Sequence, residues 1–180
     1  MTSSGEQCID ALSRLTLQAA QPSVSPEWLF VDAVTAVEVH VDRVISAMVT
    51  SSGVSRTALG HALLAKLGDE ISRSWPARYE WLAAGFEVKV KGEKFEQDFD
   101  VAIECRNAIV HGSGQLTKRQ QSNFPRFTDL RRRMESVIGV RVFGLELAPS
   151  EESAQKCLAI SRNFVYGFDH AVSGKVDFDI

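Results

Sequence analysis

The feature that most constrains the fold is a run of more than twenty residues, from Pro26 to Val49, with no turn signal before residues 51–53. Within it, residues 37–42 alternate between apolar and polar side chains, which taken alone indicates a strand. Over the whole run the polar side chains recur at helical spacing, at Thr35, Glu38, Asp42 and Ser46. Length decides the question, because strands are usually shorter than about ten residues. We therefore predict a central helix, capped by Ser25 and begun by Pro26.

A second helix is predicted from about Glu93 to Gly112. Its apolar face comprises Phe95, Phe99, Ala102, Ile103, Ile109 and Val110. Gly112 would end it with a residue that tolerates a positive φ. This helix is a natural neighbour of the central helix. Two arrangements are open for Glu38, namely an ion pair with Arg106 or exposure to solvent.

The remaining segments extend the helical pattern. Helices are expected over 6–20, 55–74 (ended by Trp75-Pro76), 126–137 and from Ser150 to about His170, with a short helical piece after Thr117. Residues 1–5 are expected to be loose. Segments 86–91 and 139–147 alternate and could pair into a minor sheet. The sequence therefore predicts an all-α helical bundle with a small β-hairpin or extended arm, in one domain spanning residues 1–180.

Composition narrows the class of protein. No apolar run approaches the length of a membrane span, and the N-terminus lacks the basic start and apolar centre of a secretory signal. The three cysteines, Cys8, Cys105 and Cys157, are widely spaced and form no Cys-x-x-Cys pair. This pattern argues against a zinc site or a disulfide framework. We expect a cytoplasmic protein without a metal or cofactor.

The end of the second predicted helix carries the side chains that could take part in a reaction. Asn107 and His111 are four apart and share one helix face, whereas Arg106 lies about 140° around the axis from His111 and about 7.5 Å along it. A long guanidinium arm could still bring both groups to one phosphate. Imidazole transfers protons near neutral pH, and guanidinium matches two phosphate oxygens. The plainer alternative is that Arg106 pairs with Glu104 or Glu38 and that His111 only caps the helix.

Arg106, Asn107, His111 and Gly112, with four residues between the arginine and the histidine, resemble the signature of the HEPN superfamily of ribonucleases. The resemblance extends from about Pro26 to Gly114. It implies a helical bundle that forms a homodimer, with two copies of the motif facing each other across one cleft. It also implies metal-independent RNA cleavage in a toxin–antitoxin or anti-phage system, where a toxin would need a neutralising antitoxin protein.

Charge is unevenly distributed. The formal net charge is −3, which is not typical of a nucleic-acid-binding protein. From Leu116 to Arg141, however, seven basic residues stand against two acidic ones: Lys118, Arg119, Arg126, Arg131, Arg132, Arg133 and Arg141 against Asp129 and Glu135. This segment could attract RNA phosphates, with Lys118 and Arg119 as the candidate substrate-binding residues. The alternative is a solvated helix face.

Two functions follow from these patterns. The first is an endoribonuclease in which Arg106 neutralises the scissile phosphate, His111 transfers a proton and Asn107 positions the reacting groups, giving a 2′,3′-cyclic phosphate. The motif supplies one histidine per chain, which is short of an acid and a base, and this favours a homodimer acting on RNA. The second is a non-catalytic HEPN-like helical module that binds a partner protein, RNA or a nucleotide.

Overall fold

The computed structural model describes residues 1–21, 23–71 and 73–175. Its helices are α1 (Ser3–Gln18), α2 (Pro26–Ser51), α3 (Ala58–Ile71), α4 (Trp75–Phe86), α5 (Lys94–His111), α6 (Lys118–Gln121), α7 (Phe124–Arg133) and α8 (Glu151–Val172), with a 3₁₀ turn (Val54–Arg56) and a π-helical turn (Met134–Ile138). Strands β1 (Arg141–Phe143) and β2 (Glu146–Ala148) form an antiparallel hairpin. The predicted fold class, a helical bundle with a small hairpin, is confirmed. No helix in the described residues is long and apolar enough to cross a membrane.

Helices α1, α2, α5 and α8 pack together around one hydrophobic core. Aromatic rings fill its centre, where Phe99 of α5 and Phe164 of α8 lie with ring centroids 4.4 Å apart. Trp75 of α4 packs edge-on against both rings, at 5.1 and 5.7 Å. These contacts hold α4 against α5 and α8.

Helix α2 confirms the interpretation drawn from length. It extends over 26 residues, and the alternating stretch 37–42 is helical throughout. The alternation arises because α2 contacts α1, α5 and α8 and is therefore apolar on several sides. Glu38 and Asp42, one turn apart, both face the neighbouring helices rather than open solvent.

The first five residues differ from expectation. Helix α1 already begins at Ser3, and Thr2 caps it by accepting a hydrogen bond from the Gly5 N–H at 2.9 Å. The Thr2 backbone N–H donates to Asp169 of α8 at 2.8 Å. A Cβ at Gly5 would lie 2.2 Å from an Asp169 oxygen, so glycine is required for this close approach. A contact 167 residues away orders the N-terminus, and sequence periodicity carries no sign of it.

Helix α4 also differs from expectation, because Trp75-Pro76 begins a helix instead of only ending the previous one. The Ser74 hydroxyl accepts a hydrogen bond from the Ala77 N–H at 3.3 Å, and Pro76 lies in the first turn, where its missing N–H costs nothing. Helix α3 begins after Thr57 rather than at Ser55, because the Thr57 hydroxyl accepts from the Gly60 N–H.

The two alternating segments adopt different structures. Residues 87–90 form a link that belongs to no strand, with Glu87 in the left-handed conformation at the end of α4 and with Val88 and Val90 buried. Segment 139–147 instead supplies β1 and most of β2, and turns back on itself at Gly144. The predicted sheet between the two segments is wrong: the loop after α5 joins the hairpin, with the Leu116 N–H donating to Leu145 O at 2.8 Å. The hairpin thus braces the exit of α5.

Candidate functional site at the end of helix α5

Helix α5 ends at His111 in a tight turn. The N–H groups of Gly112 and Gly114 both donate to Ala108 O, at 3.0 and 3.1 Å. The left-handed backbone falls on Ser113 (φ 53°) and Gly114 (φ 85°), whereas Gly112 has φ −107°. The reason predicted for Gly112 was therefore wrong. A side chain is excluded there because its Cβ would lie 1.8 Å from the Gln115 carbonyl oxygen.

Arg106 is half-buried and directed toward α2. Its Nη2 lies 3.8 Å from Glu38 Oε2, and its Nη1 donates a long hydrogen bond of 3.4 Å to Asn107 Oδ1. Its Nε is buried and has no hydrogen-bond partner among the described residues. Within the described part of the chain, a group with five N–H donors thus makes one weak hydrogen bond. The guanidinium is held near one position while most of its donors stay free.

Glu38 takes the first of the two arrangements that the sequence left open. One carboxylate oxygen faces Arg106, and the other accepts a hydrogen bond from Trp75 Nε1 at 3.1 Å. Trp75 is 7% exposed and locked in the aromatic core. The carboxylate is therefore anchored from behind by a rigid residue. The side chains of Glu38 and Arg106 remain about one-fifth exposed, at 21% and 23%, so solvent or a ligand can reach them.

Asn107 and His111 complete the constellation. His111 is exposed in the last turn of α5, and Asn107 is half-buried. With about 100° per residue, Asn107 lies between the direction of Arg106 and that of His111 around the helix. The three side chains therefore form an arc around the helix end, with Asn107 touching Arg106. Within one chain, the guanidinium and imidazole leave α5 on different sides.

Three arginines of the basic segment after the motif pair with carboxylates of α5. Glu104 is 7% exposed and receives Gln120 Nε2 at 2.6 Å, Arg119 at 3.2 Å and Arg126 at 3.9 Å. Arg133 pairs with Asp100 at 3.5 Å. These residues and Asp129 line a cleft of about 230 Å³ in which three guanidinium groups face three carboxylates. The cleft fastens α6 and α7 to α5 and is no open positive surface.

The other basic residues of this segment differ in whether they have an ion-pair or hydrogen-bond partner. Arg132 pairs with Asp129, and Arg131 donates to the Val142 carbonyl at 2.8 Å. Lys118 is exposed, and no carboxylate in the described residues lies within ion-pair distance of it. Of the two candidate substrate-binding residues, Lys118 is therefore unengaged and Arg119 is held by Glu104. The sequence showed the positive charges but not the carboxylates that would meet them.

Sequence reasoning missed one buried polar cluster. His40 of α2 is 1% exposed, with Nδ1 3.1 Å from Ser4 Oγ and Nε2 3.1 Å from Asp169 Oδ1, although the Nε2 contact is not aligned as a hydrogen bond. The cluster joins the start of α1 and the end of α8 to the middle of α2. Since any histidine in a long buried helix needs such partners, the signal was present, but their identity was not.

The cysteines are unreactive by burial. Desolvation raises the pKa of Cys8 and of Cys157 to about 12, and it raises the pKa of Cys105 well above its usual range. All three are buried free thiols, which argues against a cysteine nucleophile. Among the described residues, no group of three or more histidine, cysteine or carboxylate side chains is arranged to hold a metal ion.

No family model, curated protein or solved structure matches this chain.

Proposed function

We propose that this chain is a metal-independent endoribonuclease of the HEPN type. Arg106 binds and neutralises the scissile phosphate, His111 transfers a proton, and Asn107 positions the two. The supporting observation is the state of Arg106, a half-buried guanidinium held in place with most of its donors unused. The planar fork of such a group can bind two oxygens of a tetrahedral anion such as phosphate.

The reaction needs only groups that protein side chains supply. The 2′-oxygen attacks phosphorus and forms the 2′-O–P bond, while the P–O5′ bond breaks. A base removes the proton of the 2′-hydroxyl, and an acid gives a proton to O5′, which yields a 2′,3′-cyclic phosphate and a 5′-hydroxyl. Guanidinium charge stabilises the phosphorane-like transition state, and imidazole performs the proton transfers.

Two copies of the chain solve the shortage of proton-transfer groups. One His111 cannot be acid and base in the same step, so we propose that two chains each contribute one. Val110, beside His111, exposes 44% of its surface, an apolar position suited to an interface at the helix end. We further propose a toxin or anti-phage setting, in which an antitoxin protein would cover this end.

Incubation of the purified protein with total RNA in EDTA tests the activity. We expect cleavage with cyclic phosphate ends, and a loss of at least about a hundredfold in His111→Ala and in Arg106→Ala. His170→Ala is the matched control, because His170 is also exposed in the last turn of a helix, α8, but the Arg162-Asn163 pair of that helix lies eight and seven residues before it instead of five and four. It should cleave at the wild-type rate.

The non-catalytic module predicts a different result. RNA would bind and remain intact at high protein concentration, and binding would tolerate His111→Ala. Cleavage that persists in both motif variants would contradict the proposed roles of Arg106 and His111. Expression in cells adds a second readout: if the wild-type chain is toxic, His111→Ala should remove the toxicity and His170→Ala should not.

A further inference from the structure

We propose that Glu38 is a positioning residue of the site, which acts on the reaction only through Arg106. This inference rests on the proposed ribonuclease function. It assigns a role to a residue of α2 that lies 68 positions before the arginine in the sequence and outside the Arg-Asn-His pattern. Its basis is two contacts, from the aromatic core to Glu38 and from Glu38 to the guanidinium, and one buried donor of Arg106 that is left without a partner in the described residues.

The first contact fixes the carboxylate. Trp75 is held between Phe99 and Phe164 and donates its indole N–H to Glu38 Oε1 at 3.1 Å. An indole nitrogen is a donor only, so this hydrogen bond requires an acceptor at position 38. One oxygen of Glu38 is thereby occupied by a rigid core residue, and the other is left to face α5.

The second contact aims the guanidinium. Glu38 Oε2 lies 3.8 Å from Arg106 Nη2, a distance that allows electrostatic attraction but no direct hydrogen bond. The attraction orients the arm without consuming its donors. Asn107 Oδ1 holds the opposite nitrogen, Nη1, at 3.4 Å. The guanidinium is thus restrained on two sides by weak contacts, which a phosphate can supplement instead of having to displace.

The third observation is the orphaned Nε–H of Arg106. It is buried and has no hydrogen-bond partner in the part of the chain that the structure describes, a costly state for a charged group unless a ligand or a small rearrangement satisfies it. A phosphate that accepts from the Nε and Nη2 edge would satisfy this donor. With glutamine at position 38, the charge that holds the arm near this edge would be absent. The arm would then sample other rotamers.

The test is a double-mutant cycle under single-turnover conditions. Glu38→Gln should lower the cleavage rate about tenfold in the wild-type background and less than about twofold in the Arg106→Ala background, because a residue that acts through Arg106 has nothing left to position. Asp32→Asn is the matched control: it removes the same charge from an exposed position on the same helix. It should leave both backgrounds unchanged.

A second readout follows the guanidinium directly. The Arg106 Nε–H signal in a nitrogen–proton NMR spectrum, assigned by its loss in Arg106→Ala, should be protected from exchange in the wild-type chain and in Asp32→Asn. It should broaden in Glu38→Gln. This readout decides the question if residual cleavage by Arg106→Ala is too slow to measure.

The outcomes separate the two proposals. Wild-type cleavage that is lost in His111→Ala but unchanged or faster in Glu38→Gln, with an unaltered Nε–H signal, overturns the role of Glu38 and leaves the ribonuclease standing. A tenfold loss that persists in the Arg106→Ala background also overturns it, because Glu38 would then act by another route. A wild-type protein that never cleaves RNA overturns both.

Discussion

Two carboxylates one turn apart on α2 hold two arginines in opposite ways. Asp42 receives Arg78 of α4 through two short hydrogen bonds, from Nε at 2.7 Å and from Nη2 at 2.8 Å. Glu38 faces Arg106 of α5 across 3.8 Å with no hydrogen bond. We call the Arg78–Asp42 pair closed, because both carboxylate oxygens accept hydrogen bonds from the guanidinium. We call the Arg106–Glu38 pair open, because it leaves the guanidinium donors available.

Their surroundings sharpen the contrast. Arg78 is buried and lies 5.1 Å over the Trp75 ring, so its charge is stabilised from two sides. Burial lowers the pKa of Arg78, but the hydrogen bonds to Asp42 and the nearby carboxylate charges outweigh burial and raise the pKa above its ordinary value. Arg106 has one weak hydrogen bond and an unpartnered Nε in the described residues. Arginine content alone therefore says little; the fraction of donors in use separates a structural arginine from one free to bind a ligand.

The largest expected effect concerns catalysis. Arg106→Lys should lower kcat by about a hundredfold, because an ammonium cannot present the planar fork that matches two phosphate oxygens. Arg78→Lys, the matched change in the closed pair, should leave kcat within about threefold for folded protein. Steady-state cleavage of a defined RNA at saturating concentration measures both. Equal losses would mean that the open and closed pairs do not differ in function.

Stability should show the reverse order. Arg78→Ala should reduce the free energy of unfolding by about 2 kcal/mol, because it leaves Asp42 unpaired and removes the contact with the Trp75 ring. Arg106→Ala should cost about 0.5 kcal/mol or less, as expected for a weakly bonded, partly exposed pair. Urea unfolding with a constant m-value measures the two changes. A larger loss for Arg106→Ala would identify it as a structural residue.

The tryptophan that serves both pairs allows them to be separated. Trp75→Phe keeps an aromatic ring beneath Arg78 but removes the N–H that anchors Glu38. We expect a loss of about 1 kcal/mol in stability and a several-fold loss of cleavage rate, smaller than that of Glu38→Gln. Urea unfolding measures the change in stability, and single-turnover kinetics on the same preparation measure the change in cleavage rate. A loss of stability with no loss of cleavage rate would show that Trp75 does not contribute to the site.

This contrast also marks the limit of what sequence showed. Helical spacing and length predicted α2, α5 and α8, and the short motif placed Arg106, Asn107 and His111 at a helix end, as the structure has them. Local rules suffice for these features because caps and periodicity act over a few residues. Whether Arg78 and Arg106 use their donors depends on carboxylates 36 and 68 residues away in sequence. Helical periodicity does not predict such distant contacts. The same holds for the ordered N-terminus, which a partner on α8 fixes.

The smallest effect extends the comparison to the basic segment. Lys118 is unengaged in the described residues, whereas Arg119 is 70% exposed and already held by Glu104 at 3.2 Å. If free donors bind RNA, Lys118→Gln should raise KM about two- to threefold and reduce the salt dependence of binding by about one phosphate contact. Arg119→Gln should change KM and the salt dependence less, because Glu104 already neutralises part of the charge of Arg119. Lys156→Gln on α8, where the lysine pairs with Glu152, is the control for losing one positive charge. A larger effect of Arg119→Gln would show that Glu104 yields its partner to phosphate, and that distance to a carboxylate in the free protein does not predict which cations bind RNA.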